Sequence, residues 1–218
     1  MIIPAILEKT PHGFAEKLAK LAALRTKVKA IQVDFADGLF VPNETLSIHD
    51  FAEIGDLSKK YLWEAHLMII KPQNFLHYKE AGFSTIILHY ESYESEFQLE
   101  DAIDSINKLG MKPGIAISPD TQVSILRYFT DTIKQFTILS VEPGRQGNEF
   151  IPASIQRVQT LREMAPNAII EVDGGVNASN AGALIAAGAD QLAVGSALFE
   201  TENIKQTFQQ IESAGSNT

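Results

Sequence analysis

The chain has 218 residues, 45% of them apolar and 21% charged, and its 18 basic and 27 acidic residues give a net charge of −9. This length suits one domain around a sizeable core, and the acidic balance argues against nucleic-acid or anionic-membrane partners held by non-specific charge attraction. There is no cysteine, so disulfides, a thiolate nucleophile and cysteine metal sites are excluded.

The first ten residues, MIIPAILEKT, carry no basic start and no long apolar stretch. No segment approaches the ~18 unbroken apolar residues of a membrane span. The expectation is a cytoplasmic protein.

Short β-rich runs alternate with longer amphipathic ones. Strands are expected at residues 2–7, 29–35, 62–69, 84–90, 112–118, 136–141, 168–173 and 191–196. Helices are expected at 13–25, 74–82, 97–110, 154–164, 179–188 and 203–213, three of them ending on a glycine suited to a C-cap. Residues 46–60 are the least regular, and 211–218 are expected to fray at the end of a single domain covering 1–218. The alternation implies parallel strands with crossover helices. A dinucleotide-binding open sheet would carry G-x-G-x-x-G after strand one, where EKTPHG stands instead. The α/β fold expected is therefore a (β/α)₈ TIM barrel.

Such a barrel builds its site at the carboxyl ends of the strands and the loops after them. Those ends carry Gln32 and Asp34, Glu64 and His66, His89, Ser140 and Glu142, Glu171 and Asp173, and Gly195 with Ser196. Period two puts Gln32 with Asp34, Glu64 with His66, and Glu171 with Asp173 on shared strand faces. Buried carboxylates need a metal, shared protons or a task, whereas solvated ones need nothing, and three strands repeating the pattern favour a site. His89 alone reads as a core or loop histidine. His12, His49 and His77 read as surface residues.

Glycine forms a second constellation. Gly174-Gly175 follows strand seven, Gly195-Ser196 follows strand eight, and Gly144 and Gly147 flank Arg145 after strand six. Such loops let backbone N–H groups approach a phosphate, which lets an acidic protein hold an anionic small molecule locally. Arg145 has two readings, a bidentate phosphate clamp or a solvated side chain.

VDFADGLFVPN (33–43) resembles the VDVMDGHFVPN signature of ribulose-phosphate 3-epimerases. AHLMI (65–69), SVEPGRQG (140–147), EVDGGVN (171–177) and VGSALF (194–199) follow in the family's order, over roughly residues 2 to 200. The resemblance implies a (β/α)₈ barrel that interconverts D-ribulose 5-phosphate and D-xylulose 5-phosphate. It implies Asp34 and Asp173 as the acid–base pair, and a divalent metal, zinc or iron, held by those aspartates and two histidines, of which His66 is one.

The departures fall in the site. Gln32 replaces the other metal histidine, Ala5 the strand-one serine, Ala36 the methionine before Asp-Gly, and Arg145-Gln146 the middle of the strand-six Gly loop. An amide is a weaker ligand than imidazole for zinc or iron, so the expected metal is weakly held or lost. Decarboxylases and hexulose-phosphate synthases of this fold place a lysine two residues after the strand-two aspartate, where this chain has Ala36. An epimerase of another ketose phosphate, such as allulose 6-phosphate, and a non-catalytic sugar-phosphate binder stay open. Apolar helix faces do not separate core from interface, so a homo-oligomer stays open too.

Overall fold

The computed structural model describes residues 1–24, 27–51, 60–143 and 147–216. Eight parallel strands close into a barrel in sequence order, β1-β2-β3-β4-β5-β6-β7-β8. They are β1 (Ile2–Ile6), β2 (Ala30–Ala36), β3 (Leu62–Met68), β4 (Thr85–His89), β5 (Lys112–Ile117), β6 (Gln135–Leu139), β7 (Ile169–Asp173) and β8 (Gln191–Val194). Each lies within two residues of its sequence expectation at either end. The helices are α1 (Pro11–Leu21), α2 (Ile48–Phe51), α3 (Phe75–Glu80), α4 (Glu96–Lys108), α5 (Ser154–Met164), α6 (Ala181–Ala186), α7 (Ser196–Phe199) and α8 (Ile204–Ser216).

The chain comprises two compact units, residues 5–115 and residues 1–4 with 116–218. In the first, β2 and β3 run in full register, pairing Gln32 with Glu64 and Asp34 with His66. β2 is buried along its whole length. Strand alternation therefore sends Phe35 to the face opposite Asp34. There Phe35 packs edge-on against Tyr78 of α3 at 5.2 Å and against Phe83 at 5.6 Å. Phe14 of α1 meets Phe51 at 4.7 Å. This aromatic layer anchors the strand, and so fixes where its polar face can point. Helix α1 starts on Thr10, whose hydroxyl accepts from the Gly13 N–H, with Pro11 at the first helical position.

In the second unit, β6 and β7 pair Thr137 with Glu171 and Leu139 with Asp173, and β7 pairs Asp173 with Ala193 of β8. Helices α5, α6 and α8 supply the buried Val158, Leu161, Leu184, Phe208 and Ile211.

Three expectations change. The segment between β5 and β6 carries a 3₁₀ helix at Val123–Phe129 that no apolar periodicity announced. A single-turn helix, α7, starts directly at Ser196, so the last strand ends at Val194. Helix α8 runs through residues 211–216, expected to fray, because Ile211 is buried and so ties the last turns down. Residues 52–59, within the irregular stretch after β2, lie outside the described residues.

Candidate active site

The carboxyl end of β2 is fixed by its own loop. Thr45 Oγ1 accepts from the Ala36 N–H at 2.9 Å and donates to the Asp34 carbonyl at 3.1 Å. Asp37 holds the turn after it: Oδ1 accepts from the N–H groups of Leu39 (2.9 Å) and Phe40 (2.8 Å), and Oδ2 from Ile70 N–H (2.9 Å) in the loop after β3. Burial pushes the Asp37 pKa up, but the N–H groups of Phe40, Ile70 and Leu39 outweigh it and leave the carboxyl below its ordinary value. Gly38 takes a left-handed φ of +74°, which completes the turn. The two acids of this stretch thus do different jobs: Asp37 ties two loops together, and Asp34 faces inward.

Asp34 is buried, and so are Gln32, His66 and His89. Gln32 Nε2 donates to Asp34 Oδ1 at 2.8 Å. His66 Nδ1 lies 3.1 Å from the same oxygen. His66 Nε2 meets His89 Nε2 at 2.9 Å, and His89 Nδ1 meets Glu91 Oε2 at 3.2 Å. His89 is thus no isolated core histidine. The sequence signal that marks it is H-x-E at a strand end, the same strand-end placement that singled out His66. Glu64 and Glu171 are buried as expected, with Thr137 donating to Glu171 at 3.0 Å. Glu142 is exposed and leaves the buried set, because it follows the end of β6 in the loop. His12 and His49 are exposed at the surface, and the His77 side chain is 46% exposed.

After β7 the chain turns under tight constraint. Ser140 Oγ donates to the carbonyls of Asp173 (3.0 Å) and Gly174 (2.5 Å). Asn177 and Asn180 both donate to the Gly175 carbonyl. Gly174 and Gly175 have φ of +105° and +63°. A Cβ on Gly174 would overlap Val141 Cγ2, and one on Gly175 would meet Phe150 Cα at 2.9 Å. Packing alone therefore demands glycine at both positions. Gly147 (φ +83°) would meet nothing within 4 Å, and Gly195 precedes α7 at Ser196. Gly144 and Arg145, expected at the phosphate, lie outside the described residues.

Asp34 and His66, in the first unit, set a carboxylate oxygen and an imidazole nitrogen side by side, donors able to hold a metal ion. The donor chemistry fits zinc or iron. His66 Nδ1 and Asp34 Oδ1 lie 3.1 Å apart, so an imidazole nitrogen and a carboxylate oxygen would both be available to such an ion. Gln32, as oriented, turns its amide nitrogen toward both atoms, and rotating the amide would present oxygen instead. Ala5, in register with Gln32, brings a methyl group where the resembling family has a hydroxyl. Ala36 is buried with Val41 and Met68 in a small apolar cluster. None of the described helices is long and apolar enough to cross a membrane.

Comparison with known proteins agrees with this geometry. Residues 1–199 match the model of the "Ribulose-phosphate 3 epimerase family". The chain is 32% identical to a ribulose-phosphate 3-epimerase of Aquifex aeolicus over 98% of this chain and 96% of that one. It is 33% identical to the chloroplastic ribulose-5-phosphate-3-epimerase of Arabidopsis thaliana, over 90% and 74% respectively. Among solved structures, 3-hexulose-6-phosphate synthase from Salmonella typhimurium superposes with a TM-score of 0.75, covering 99% of this chain and 98% of that one. At 15% identity that likeness speaks for the barrel alone. The signature motifs, the barrel and the match over residues 1–199 lead to one conclusion: this chain belongs to the ribulose-phosphate 3-epimerase family.

Proposed function

We propose that the protein interconverts D-ribulose 5-phosphate and D-xylulose 5-phosphate, with Asp34 and Asp173 moving the C3 proton. The observation that carries the reading is Asp34 itself. It is a buried carboxylate at a strand's carboxyl end, held by Gln32 and neighboured by His66, within a chain of this family. Inversion beside a ketone requires a base on one face of the carbon and an acid on the other. One aspartate removes the proton, and the other returns one to the opposite face of the enediolate. Gln32 keeps Asp34 from rotating, so the carboxylate oxygen that reacts keeps its direction.

Asp34, His66 and Asp173 would hold a divalent cation, with Gln32 joining only through its amide oxygen. When bound, a zinc or iron ion supplies positive charge to the enediolate oxygens. The phosphate is assigned to the loops at Gly174-Gly175 and Gly195-Ser196, with Gly144, Arg145 and Gly147 beside them. Ser140, Asn177 and Asn180 support this by occupying carbonyls of the β7 loop.

The test is conversion of ribulose 5-phosphate by the purified protein, followed by proton NMR, with allulose 6-phosphate in parallel. Faster turnover of ribulose 5-phosphate supports the reading. Preference for the hexulose moves the substrate, and no turnover of either leaves a binder.

A further inference from the structure

His89 has no part in the chemistry above, yet it is fully buried and bonded on both ring nitrogens. Its contacts form a line: Asp34 Oδ1 to His66 Nδ1 (3.1 Å), His66 Nε2 to His89 Nε2 (2.9 Å), and His89 Nδ1 to Glu91 Oε2 (3.2 Å). Phe40, whose N–H is held by Asp37, packs its ring 4.6 Å from that of His89.

The proton order along this line follows from the groups at its ends. A nitrogen–nitrogen contact of 2.9 Å holds one hydrogen, so one ring donates and the other accepts. An ionised Glu91 only accepts, so His89 Nδ1 donates to it. A neutral His89 then has a lone pair on Nε2, and His66 donates Nε2–H to it. That leaves the lone pair of His66 on Nδ1. The reverse order would set a bare His89 Nδ1 against the Glu91 carboxylate, just as the first sets a bare His66 Nδ1 beside Asp34 Oδ1; a cation held by Asp34 and His66 needs that bare nitrogen and so selects the first order. Gln32 favours the first order, because its amide nitrogen lies between Asp34 Oδ1 (2.8 Å) and His66 Nδ1 (3.5 Å), on the side where a lone pair would need a donor.

We infer that His89, backed by Glu91, is a positioning residue: it holds the Nε2–H of His66 and so turns the Nδ1 lone pair of His66 toward Asp34 and the reacting centre. A carboxylate–imidazole pair behind a ligand histidine fixes its tautomer and raises its basicity, and losing such support costs about 10–100-fold in metal affinity. This rests on the reading of Asp34 and His66 as cation ligands.

The experiment has two arms. Nitrogen NMR of the zinc-loaded protein should show protons on His89 Nδ1 and His66 Nε2. The opposite pattern overturns the inference. Zinc affinity is then measured by competition with a chromophoric chelator. His89→Leu should bind about tenfold or more weakly, while His89→Gln, whose amide oxygen can accept from His66 Nε2–H, should recover most of the affinity. Equal affinities in wild type and both variants overturn the inference, since a merely structural histidine would alter unfolding alone. If wild type takes up no zinc, the cation reading fails and the inference with it; if wild type binds zinc and all three proteins bind it alike, the cation reading stands and the inference alone fails.

Discussion

Gln32 donates from Nε2 to Oδ1 of Asp34 at 2.8 Å, across two residues of one strand face. Its amide hydrogen therefore points where a cation's charge would act. The orientation satisfies Asp34 without a metal and must be reversed before Gln32 can act as a ligand. Gln32→His should accordingly raise zinc or iron affinity by about tenfold or more, the scale at which single groups around a metal act. Metal content after identical loading of both proteins checks this. A wild type that already holds one tight ion per chain, unchanged by the histidine, would refute it.

Asp34→Asn and Asp173→Asn should each lower epimerase turnover by about 10²–10⁴-fold, the usual worth of an acid–base group. The substitutions keep the side chain's shape, and Gln32 can still donate to an amide oxygen at position 34. Thermal unfolding should therefore hardly move. Substantial turnover in either variant would end the acid–base assignment.

Asp37 carries a pH prediction. Its folded-state pKa lies below the ordinary value, so its contribution to stability is full above the unfolded carboxyl range and is lost as pH falls through the folded pKa. Asp37→Asn should be destabilising at neutral pH, and the gap to wild type should narrow on acidification below about pH 4. The side chain is partly solvated, so the neutral-pH loss should be about 1 kcal/mol. Denaturant titrations at the two pH values check it, and a gap that does not narrow would discount the charge.

Gly175→Ala should destabilise by about 1–3 kcal/mol, because its φ of +63° disfavours a side chain and the new Cβ would meet Phe150 backbone at 2.9 Å. The loss should appear without any ligand. Wild-type stability in urea would show that the loop yields more readily than its packing implies. Gly147→Ala meets no neighbour, so any loss there comes from its φ of +83° alone.

Much of this was legible in the sequence, and the reasons are particular. Apolar runs such as KAIQVDF marked strands because a parallel barrel buries both strand faces, and period two put Gln32 with Asp34 on one face. Glu64, His66 and Glu171 were placed correctly in the buried set by the same rule. His89 stands at a strand end yet reads as a core or loop histidine, because one histidine carries no periodic signal and its contact with His66 becomes visible only once the strands are placed. The turn at Asp37-Gly38 is legible in that residue pair, whereas the tie from Asp37 to the loop after β3 depends on the direction of the Ile70 N–H, which no residue pattern encodes. The 3₁₀ segment at Val123–Phe129 was missed because its period differs from that of an α-helix.

The most direct measurement is solvent exchange at C3. Ribulose 5-phosphate incubated with the protein in heavy water should yield xylulose 5-phosphate carrying deuterium at C3, and Asp34→Asn and Asp173→Asn should both abolish net epimerisation. Wild-type protein that binds the sugar phosphate yet leaves its C3 hydrogen unexchanged, with no xylulose 5-phosphate formed, would contradict the account.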